Sequence, residues 1–389
     1  MDFILGFTWY YIILFLFVLT VLVYVHEWGH YWVAKRNNVK IEVFSIGFGP
    51  EIYGWTNSAG TRWKISAIPL GGYVKMLGQS DLPEDAEDER PLTEEEKAVS
   101  FQFKTIGQRV AIVFAGPAAN FLLAVVLFAG LIMTVGTPKH YAGVGNIMPD
   151  SAAAEAEFEV GDRILSINGE PVTWFSDLVR IVSSQPGVPL KITLRRGDQE
   201  LTLAATPKPH QRTDKDGKTV EVGLLGVRYD PEQALCERQN PLYASWLGVR
   251  QTVALTANIF SYLGEMISGK RGAEDLGGPL RIAKLSGQMA QGGFDNLIFF
   301  MAALSVNLGL INLFPIPLLD GGHLLFFAAE AIRGRPLGER AQEYGFRFGL
   351  ILVLILMVFA TWNDLVHLRV IEFIKELILN LHPWLSQDV

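Results

Sequence analysis

Residues 26–30 read His26-Glu27-Trp28-Gly29-His30. On a helix, positions i and i+4 share a face, so the two imidazoles can grip one Zn2+ between them. Glu27 lies beside them, placed to take a proton from water at the metal. Five-residue patterns of this kind occur by chance in long sequences, so the surroundings decide. The pattern follows residues 3–25, which contain no charged residue or histidine. Ionisable groups at the end of a membrane-length segment are costly enough to mark function by default. A hydrolytic zinc site usually has three protein ligands and one open position. The five other histidines are His140, His210, His323, His367 and His382. None repeats the third-ligand spacing of soluble metallopeptidases with this motif. The informative stretch is Asn312-Leu-Phe-Pro-Ile-Pro-Leu-Leu-Asp-Gly-Gly-His323, where Asp320 is the first charge after 24 uncharged residues. Asp320 is the candidate third ligand, with His323, three residues on, as the fallback.

These residues need elements that bring positions 26–30 and 320 to one place. Half of the 389 residues are apolar, 19% are charged, and the mean hydropathy is +0.25. That balance predicts a few membrane spans together with soluble parts. The net charge of −7 argues against nucleic-acid binding, which needs a basic face. Nine acidic residues between Asp81 and Glu96 carry most of it and read as a solvated loop. The lone Cys236 excludes an internal disulfide framework and a Cys-rich metal cluster.

Four stretches are apolar enough to cross about 30 Å of hydrocarbon: 3–25, 110–135, 296–319 and 344–363. Residues 251–264 are uncharged but short and read as a surface or interfacial helix. Loops on one side of the four spans hold eleven Lys and Arg near the span ends, against five on the other. This puts both termini outside and the acidic loop inside. With four spans, the first and third run in the same direction, so His26, His30 and Asp320 all lie toward the inner face. A fifth span at 251–264 would separate them.

Residues 140–230 switch to a soluble composition. Strand patterns fall at 144–148, 163–168, 190–195, 201–205 and 222–229, a short helix at 174–184, and tight turns at Asn168–Gly169 and Arg196–Gly197–Asp198. The stretch Val160-Gly-Asp-Arg-Ile-Leu-Ser-Ile-Asn-Gly-Glu170 resembles the core of a bacterial PDZ domain. Gly143, Val144 and Gly145, within Tyr141-Ala-Gly-Val-Gly-Asn-Ile147, resemble its carboxylate-binding loop. Such domains bind a peptide or a protein C-terminus by adding a strand to a sheet edge.

The His-Glu-x-x-His and Leu-Asp-Gly motifs, with a PDZ-like domain between the second and third spans, resemble the site-two protease family of intramembrane zinc metalloproteases. The likeness covers nearly the whole chain. It implies His26, His30 and Asp320 as ligands of one Zn2+ per chain and Glu27 as catalytic base. It also implies a multi-pass enzyme of the bacterial inner membrane, with the PDZ-like domain in the periplasm. Its substrates would be transmembrane proteins or signal peptides, for example an anti-sigma factor at its second cut. Some members carry two tandem PDZ domains, and this chain has room for one.

The expected fold is therefore a polytopic α-helical membrane protein with a membrane-associated β-hairpin and one extracytoplasmic PDZ-like α+β domain. In order, 1–35 is the first span with the zinc motif, 36–108 the hairpin and acidic loop, and 109–136 the second span. Then come the PDZ-like domain at 140–230, surface helices at 240–292 and the third span with the Asp-Gly-Gly motif at 293–325. The fourth span at 344–363 precedes an amphipathic helix at 364–389 lying on membrane lipid. Asn312 is the leading candidate to hold an oxyanion, with Asn307 and Asn120 weaker. Gly116 and Asn120 are equally well spaced for close helix packing. Pro315 and Pro317 cannot both sit in an unbroken helix, so the third span should unwind near Asp320. Gly47–Gly49 and Leu70–Val74, on either side of Thr61–Ala67, read as strands and turns that could offer an edge to an extended substrate, or form an ordinary cytoplasmic hairpin. The competing function is a PDZ-based membrane scaffold with a structural metal, and a further one is cleavage of soluble peptides near the membrane.

Overall fold

The computed structural model describes residues 9–79, 92–213, 219–230, 234–270, 272 and 277–367. They form two compact units, Met1–Leu131 with Pro241–Val389, and Ile132–Asn240. The first unit opens with α1 (Trp9–Arg36), residues 1–8 lying outside the described part. The helix does not stop where the uncharged run ends at residue 25. Apolar Tyr31, Val33 and Ala34 carry it on, so His26 and His30 sit inside the helix rather than beyond it. Lys35 and Arg36 in the last turn suit the negative end of the helix dipole. Asn38 then takes a left-handed φ of 53° while the Val39 N–H returns to the Ala34 carbonyl at 3.0 Å, closing the end.

Two bent strands follow, β1 (Ile41–Thr56) and β2 (Arg62–Met76), and the segments expected at 61–67 and 70–74 run together in β2. Residues 43–46 pair with 72–75 on one side and 62–65 on the other, and 62–65 pair onward with 53–56. Two strands thus give a sheet four deep. The bends fall at Gly47, Gly49 and Gly71, whose φ angles of 90°, 87° and 118° suit glycine. Phe44 is fully buried against the rings of Tyr24, Tyr31 and Trp63, worth about 1.5–3 kcal/mol for such a side chain. Beyond the bend, Phe48, Ile52, Tyr53 and Ile68 are exposed. After α2 (Glu94–Val99), opened by a Thr93–Glu96 capping box, comes α3 (Ile106–Thr134). Its small residues meet those of α1: a Cβ on Gly29 would overlap the Ala115 carbonyl, so the two backbones touch.

The second unit, Ile132–Asn240, is wider than the expected 140–230. It begins with β3 (Thr137–His140) and β4 (Asn146–Ile147), then α4 (Ala152–Glu155), β5 (Arg163–Ile167), β6 (Glu170–Pro171) and α5 (Phe175–Ser183). Six strands follow: β7 (Leu190–Arg196), β8 (Gln199–Ala205), β9 (Lys208–Thr213), β10 (Thr219–Leu224), β11 (Val227–Arg228) and β12 (Ala234–Glu237). An antiparallel sheet runs β6-β5-β7-β8, while β9 pairs β10, β4 pairs β11 and β3 pairs β12. The last pairing extends the unit past both expected boundaries. In β7 the alternation Leu190, Ile192, Leu194 faces the core, where Ile164, Ile167, Leu178 and Ile181 meet it. Asn168 and Gly169 both have positive φ, forming the tight turn expected between β5 and β6. The strand expected at 222–229 is split between β10 and β11 by Gly226, at φ 84°.

An ion pair between half-buried Arg196 and buried Asp162 closes this unit. Arg196 reaches both Asp162 oxygens at 2.8 Å, and the Glu159 N–H donates to Asp162 Oδ2 at 2.9 Å. Burial alone would push the Asp162 carboxyl up. The Arg196 hydrogen bonds, the Glu159 N–H and the Arg196 charge together outweigh it and hold the carboxyl below its usual range. A carboxyl depressed in the folded state adds stability that is present above the unfolded pKa of about 4 and is lost as pH falls further. Thermal unfolding of residues 132–240 should therefore show a falling Tm below about pH 4. Asp162→Asn should have a lower Tm at pH 7 but a smaller drop from pH 7 to pH 3. An equal drop in both proteins would show that Asp162 is not the group responsible.

The chain then returns to the first unit with α6 (Pro241–Ile267), α7 (Pro279–Gln291), α8 (Phe294–Asn312), α9 (Asp320–Arg333) and α10 (Glu339–His367). Among the described residues, four helices are long and apolar enough to cross a membrane: Tyr10–Arg36, Ile106–Thr134, Phe294–Asn312 and Arg340–Val366. The stretch expected at 251–264 belongs to α6, longer than its uncharged centre. The expectation of surface helices throughout 240–292 needs correction at α7. Ala283, Ser286 and Gly287 are buried, and the Tyr11 ring of α1 occupies the space a Gly287 side chain would need. The start of α7 is capped from α10, where buried Asp364 accepts the Gly278 N–H at 2.8 Å and the Arg281 N–H at 3.0 Å.

The third span also differs from the expected 296–319. Its helix ends at Asn312 and a separate helix begins at Asp320. Pro315 and Pro317 lie in the break, as their missing N–H groups require. Arg109 at the start of α3 pairs with Glu330 at 2.6 Å, tying α9 in place. The amphipathic helix expected at 364–389 falls outside the described residues beyond His367.

Candidate metal centre

Three helices build the centre. His26 and His30 lie one turn apart on α1, and Asp320 opens α9. His26 Nε2 is 3.2 Å from Asp320 Oδ2, His30 Nε2 is 3.5 Å from it, and the two Nε2 atoms are 3.2 Å apart. Both histidines are buried. The third helix, α3, supplies the support behind them. The Ile112 carbonyl lies 2.9 Å from His30 Nδ1. A carbonyl only accepts, so His30 keeps a proton on Nδ1, and Nε2 is the nitrogen left to face a metal beside Asp320.

The glycines around the site keep this approach open. A Cβ on Gly116 of α3 would overlap the rings of both His30 and His26. Gly321 and Gly322 lie under the 313–319 loop, where side chains would collide with the Leu313, Phe314 and Ile316 carbonyls. That loop folds back over the start of α9 and brings Asp320 round to α1. Gly116→Ala should force α3 and α1 apart at the histidines, an overpacking cost of about 1–3 kcal/mol. The expected result is zinc affinity lower by roughly ten- to a hundredfold in chelator competition. Unchanged affinity would show that the helices can separate without moving the ligands.

The residues fit a zinc ion on the structure's own terms. Asp320 Oδ2 is buried without a hydrogen-bond donor, an expensive arrangement if nothing positive meets it. Two imidazole nitrogens and one carboxylate oxygen match in type and number the donor set of a catalytic zinc site. Glu27 follows His26, and its carboxylate lies beside the Val74 backbone of β2. Gly72, two residues earlier on the same strand, lies beside the Glu27 side chain, and a Cβ there would overlap the Ser45 carbonyl.

The other candidates fall elsewhere. The His323 ring packs on Phe346 of α10, and His323 is not in the three-residue cluster. Asn307 and Asn312 are half-buried on α8, Asn312 as its last residue. Asn120 turns its amide to His26 Nδ1, the ring nitrogen opposite the cluster, and so has no geometry for an oxyanion. The carboxylate-loop expectation at 143–145 needs correction. The Gly143, Val144 and Gly145 N–H groups donate to the Tyr141, Asp162 and Arg228 carbonyls at 2.7–2.8 Å, which leaves none for a peptide carboxylate. Sequence reasoning had no signal for Ile112 or Val74, because both act through the main chain. It did note Gly116 and Asn120 as a spaced pair, without placing them at the histidines.

Comparison with known proteins gives the family. The model of peptidase family M50 matches residues 14–356. A protein of Agrobacterium fabrum whose given name is that of a zinc metalloprotease is 44% identical over 374 residues, 92% of this chain and 97% of the relative. The metalloprotease MmpA of Caulobacter vibrioides is 37% identical over 384 residues, 92% and 96% of the two chains. A solved PDZ domain, from the SdrC-like protein of Listeria monocytogenes, matches 24% of this chain and 88% of its own at 21% identity and a TM-score of 0.18. Matched along most of its length by a metallopeptidase family, and by relatives that carry the same activity in their names, the chain belongs to peptidase family M50, the site-two protease family, and is a zinc metalloprotease.

Proposed function

We propose that the protein is an intramembrane endopeptidase that hydrolyses peptide bonds in or near transmembrane segments of other membrane proteins or of signal peptides. The observation that carries this reading is the convergence of His26 Nε2, His30 Nε2 and Asp320 Oδ2 within 3.5 Å, with both histidines inside a helix long enough to cross a membrane. His26, His30 and Asp320 hold one Zn2+ per chain in this proposal. When bound, zinc supplies a Lewis acid that acidifies water and polarises a carbonyl. Glu27 takes the proton from the attacking water and passes it to the leaving amine. Glu27 lies beside Gly72 and Val74 of β2, so the base and a strand share one boundary. Asn312, and less directly Asn307, remain the candidates for a hydrogen bond to the substrate carbonyl.

A transmembrane helix hides its peptide bonds in internal hydrogen bonds and must be extended before attack. Residues 72–75 pair with 43–46, and no other strand flanks them among the described residues. A substrate strand added along that edge would run past Glu27. The exposed Phe48, Ile52, Tyr53 and Ile68 favour a hairpin that dips into lipid over an ordinary cytoplasmic one. The basic residues near the span ends support a bacterial inner-membrane protein with residues 140–230 in the periplasm. That unit, PDZ-like in this proposal, selects substrates before they enter the membrane site.

Purified enzyme should cut a transmembrane peptide in lipid and leave a soluble peptide of the same sequence context intact. Equal cutting of both would favour a peptidase acting near the membrane. Replacing residues 140–230 by a flexible linker should preserve cleavage of a short transmembrane peptide. It should also admit substrates with bulky outer domains. A deletion protein that binds zinc but cuts nothing would make the unit part of the catalytic assembly.

A further inference from the structure

Asn120 lies on α3 with no exposed surface, and its amide meets His26 Nδ1 at 3.2 Å through the atom placed as Nδ2. The other amide atom, Oδ1, is buried without a hydrogen-bond partner. The oxygen and nitrogen of an amide are nearly the same size, so the hydrogen-bond network decides which one faces the ring.

With Nδ2 facing the ring, Asn120 donates to Nδ1 and the His26 proton must sit on Nε2. That proton would then point at His30 Nε2 and Asp320 Oδ2, leaving His26 no lone pair for a metal. It would also leave Oδ1 stranded, at about 1–3 kcal/mol for a buried acceptor. With the amide rotated by half a turn, Oδ1 accepts the Nδ1 proton and gains the partner it lacks. His26 then turns a bare Nε2 toward the cluster. This is the state that the Ile112 carbonyl imposes on His30 at 2.9 Å.

We infer that Asn120 is a positioning residue of the metal centre: its side-chain carbonyl accepts the Nδ1 proton of His26 and thereby holds Nε2 free for the ion. The inference rests on the zinc reading of the site. Asn120 is itself anchored, since buried Ser305 of α8 donates to its backbone carbonyl at 2.8 Å. One hydrogen-bonded line thus runs from α8 through α3 to the first ligand on α1. The second ligand is oriented by a main-chain carbonyl, so Asn120 is the side chain by which a mutation can address this support.

The test compares full-length wild type, Asn120→Asp and Asn120→Leu in lipid nanodiscs, reading zinc affinity by chelator competition and the absorption spectrum after cobalt substitution. Asp keeps the acceptor, whereas Leu keeps the volume and removes it. The expected order is wild-type affinity in Asn120→Asp, and affinity ten- to a hundredfold weaker in Asn120→Leu with an altered cobalt spectrum. A role in packing alone gives the reverse order, because Leu fits and a buried charge does not, and that order overturns the inference. Should Asn120→Asp fail to insert, 15N spectra of histidine-labelled, zinc-loaded wild type decide. Two zinc-bound imidazoles with protonated Nδ1 support the inference, and a ligand without that proton overturns it. Wild type that takes up no zinc overturns the metal reading and this inference together, while tight zinc in Asn120→Leu removes only the inference.

Discussion

Glu27→Gln is expected to lower cleavage of a transmembrane peptide by at least two to four orders of magnitude while leaving zinc bound. A positioned acid–base group contributes about 10²–10⁴ in rate, and an amide of the same shape cannot take a proton. The side chain lies beside the ligands without belonging to the cluster of His26, His30 and Asp320, so metal uptake should not depend on it. The Val74 contact offers a second expectation. Gln keeps the length and shape of the side chain that lies beside the Val74 backbone, so the β2 strand should keep its place and the variant should still capture substrate. Measuring zinc content, peptide binding and turnover on one preparation checks all three. Zinc loss on this substitution would make Glu27 a structural residue and would leave the enzyme without a base.

Asp320→Ala is expected to remove both metal and activity, and His323→Ala to keep both within a fewfold. Two of three ligands rarely hold zinc against a chelator, and the alanine leaves the Nε2 atoms 3.2 Å apart with no carboxylate between helices α1 and α9. His323 sits about one turn further along α9 with its ring on Phe346. Its removal should loosen that packing without reaching the metal. Zinc retained in Asp320→Ala and lost in His323→Ala would exchange the two assignments.

Much of this centre was legible because its chemistry is written in residue types. Histidines four apart must share a helix face, and a lone carboxylate after 24 uncharged residues is conspicuous. The prolines at 315 and 317 likewise announced the break between α8 and α9. The start of α9 was not legible. Asp320-Gly-Gly reads as a turn, since each glycine costs a helix about 1 kcal/mol, yet here the glycines are needed because the 313–319 loop crosses directly over them. The continuation of α1 past residue 25 was expected, as the span at 1–35 that carries the zinc motif, but the partners that hold its polar end were hidden. A glutamate and two histidines suggest an exit from the bilayer, whereas in the fold they turn toward partners on α3, α9 and β2. Main-chain supports such as Ile112 and Val74 leave no trace in residue type at all. The 143–145 loop misled because glycine-rich turns look alike whether their N–H groups are open or already engaged.

The ligands of the proposed centre are separated by 290 positions, His30 to Asp320, and this has a consequence in time. Ribosomes add about 5–20 residues per second, so the histidine pair emerges roughly 15–60 s before the carboxylate that completes it. Throughout that interval α1 and α3 can dock through Gly29 and Gly116, yet the growing chain has two nitrogen ligands and no third. On the proposed zinc reading, a nascent chain therefore has an incomplete ligand set, and no activity, until residue 320 has emerged. Competence arrives with α9, late enough that the helices enclosing the site are nearly all in place. Chains stalled before residue 320 should accordingly be harmless fragments, whatever their abundance.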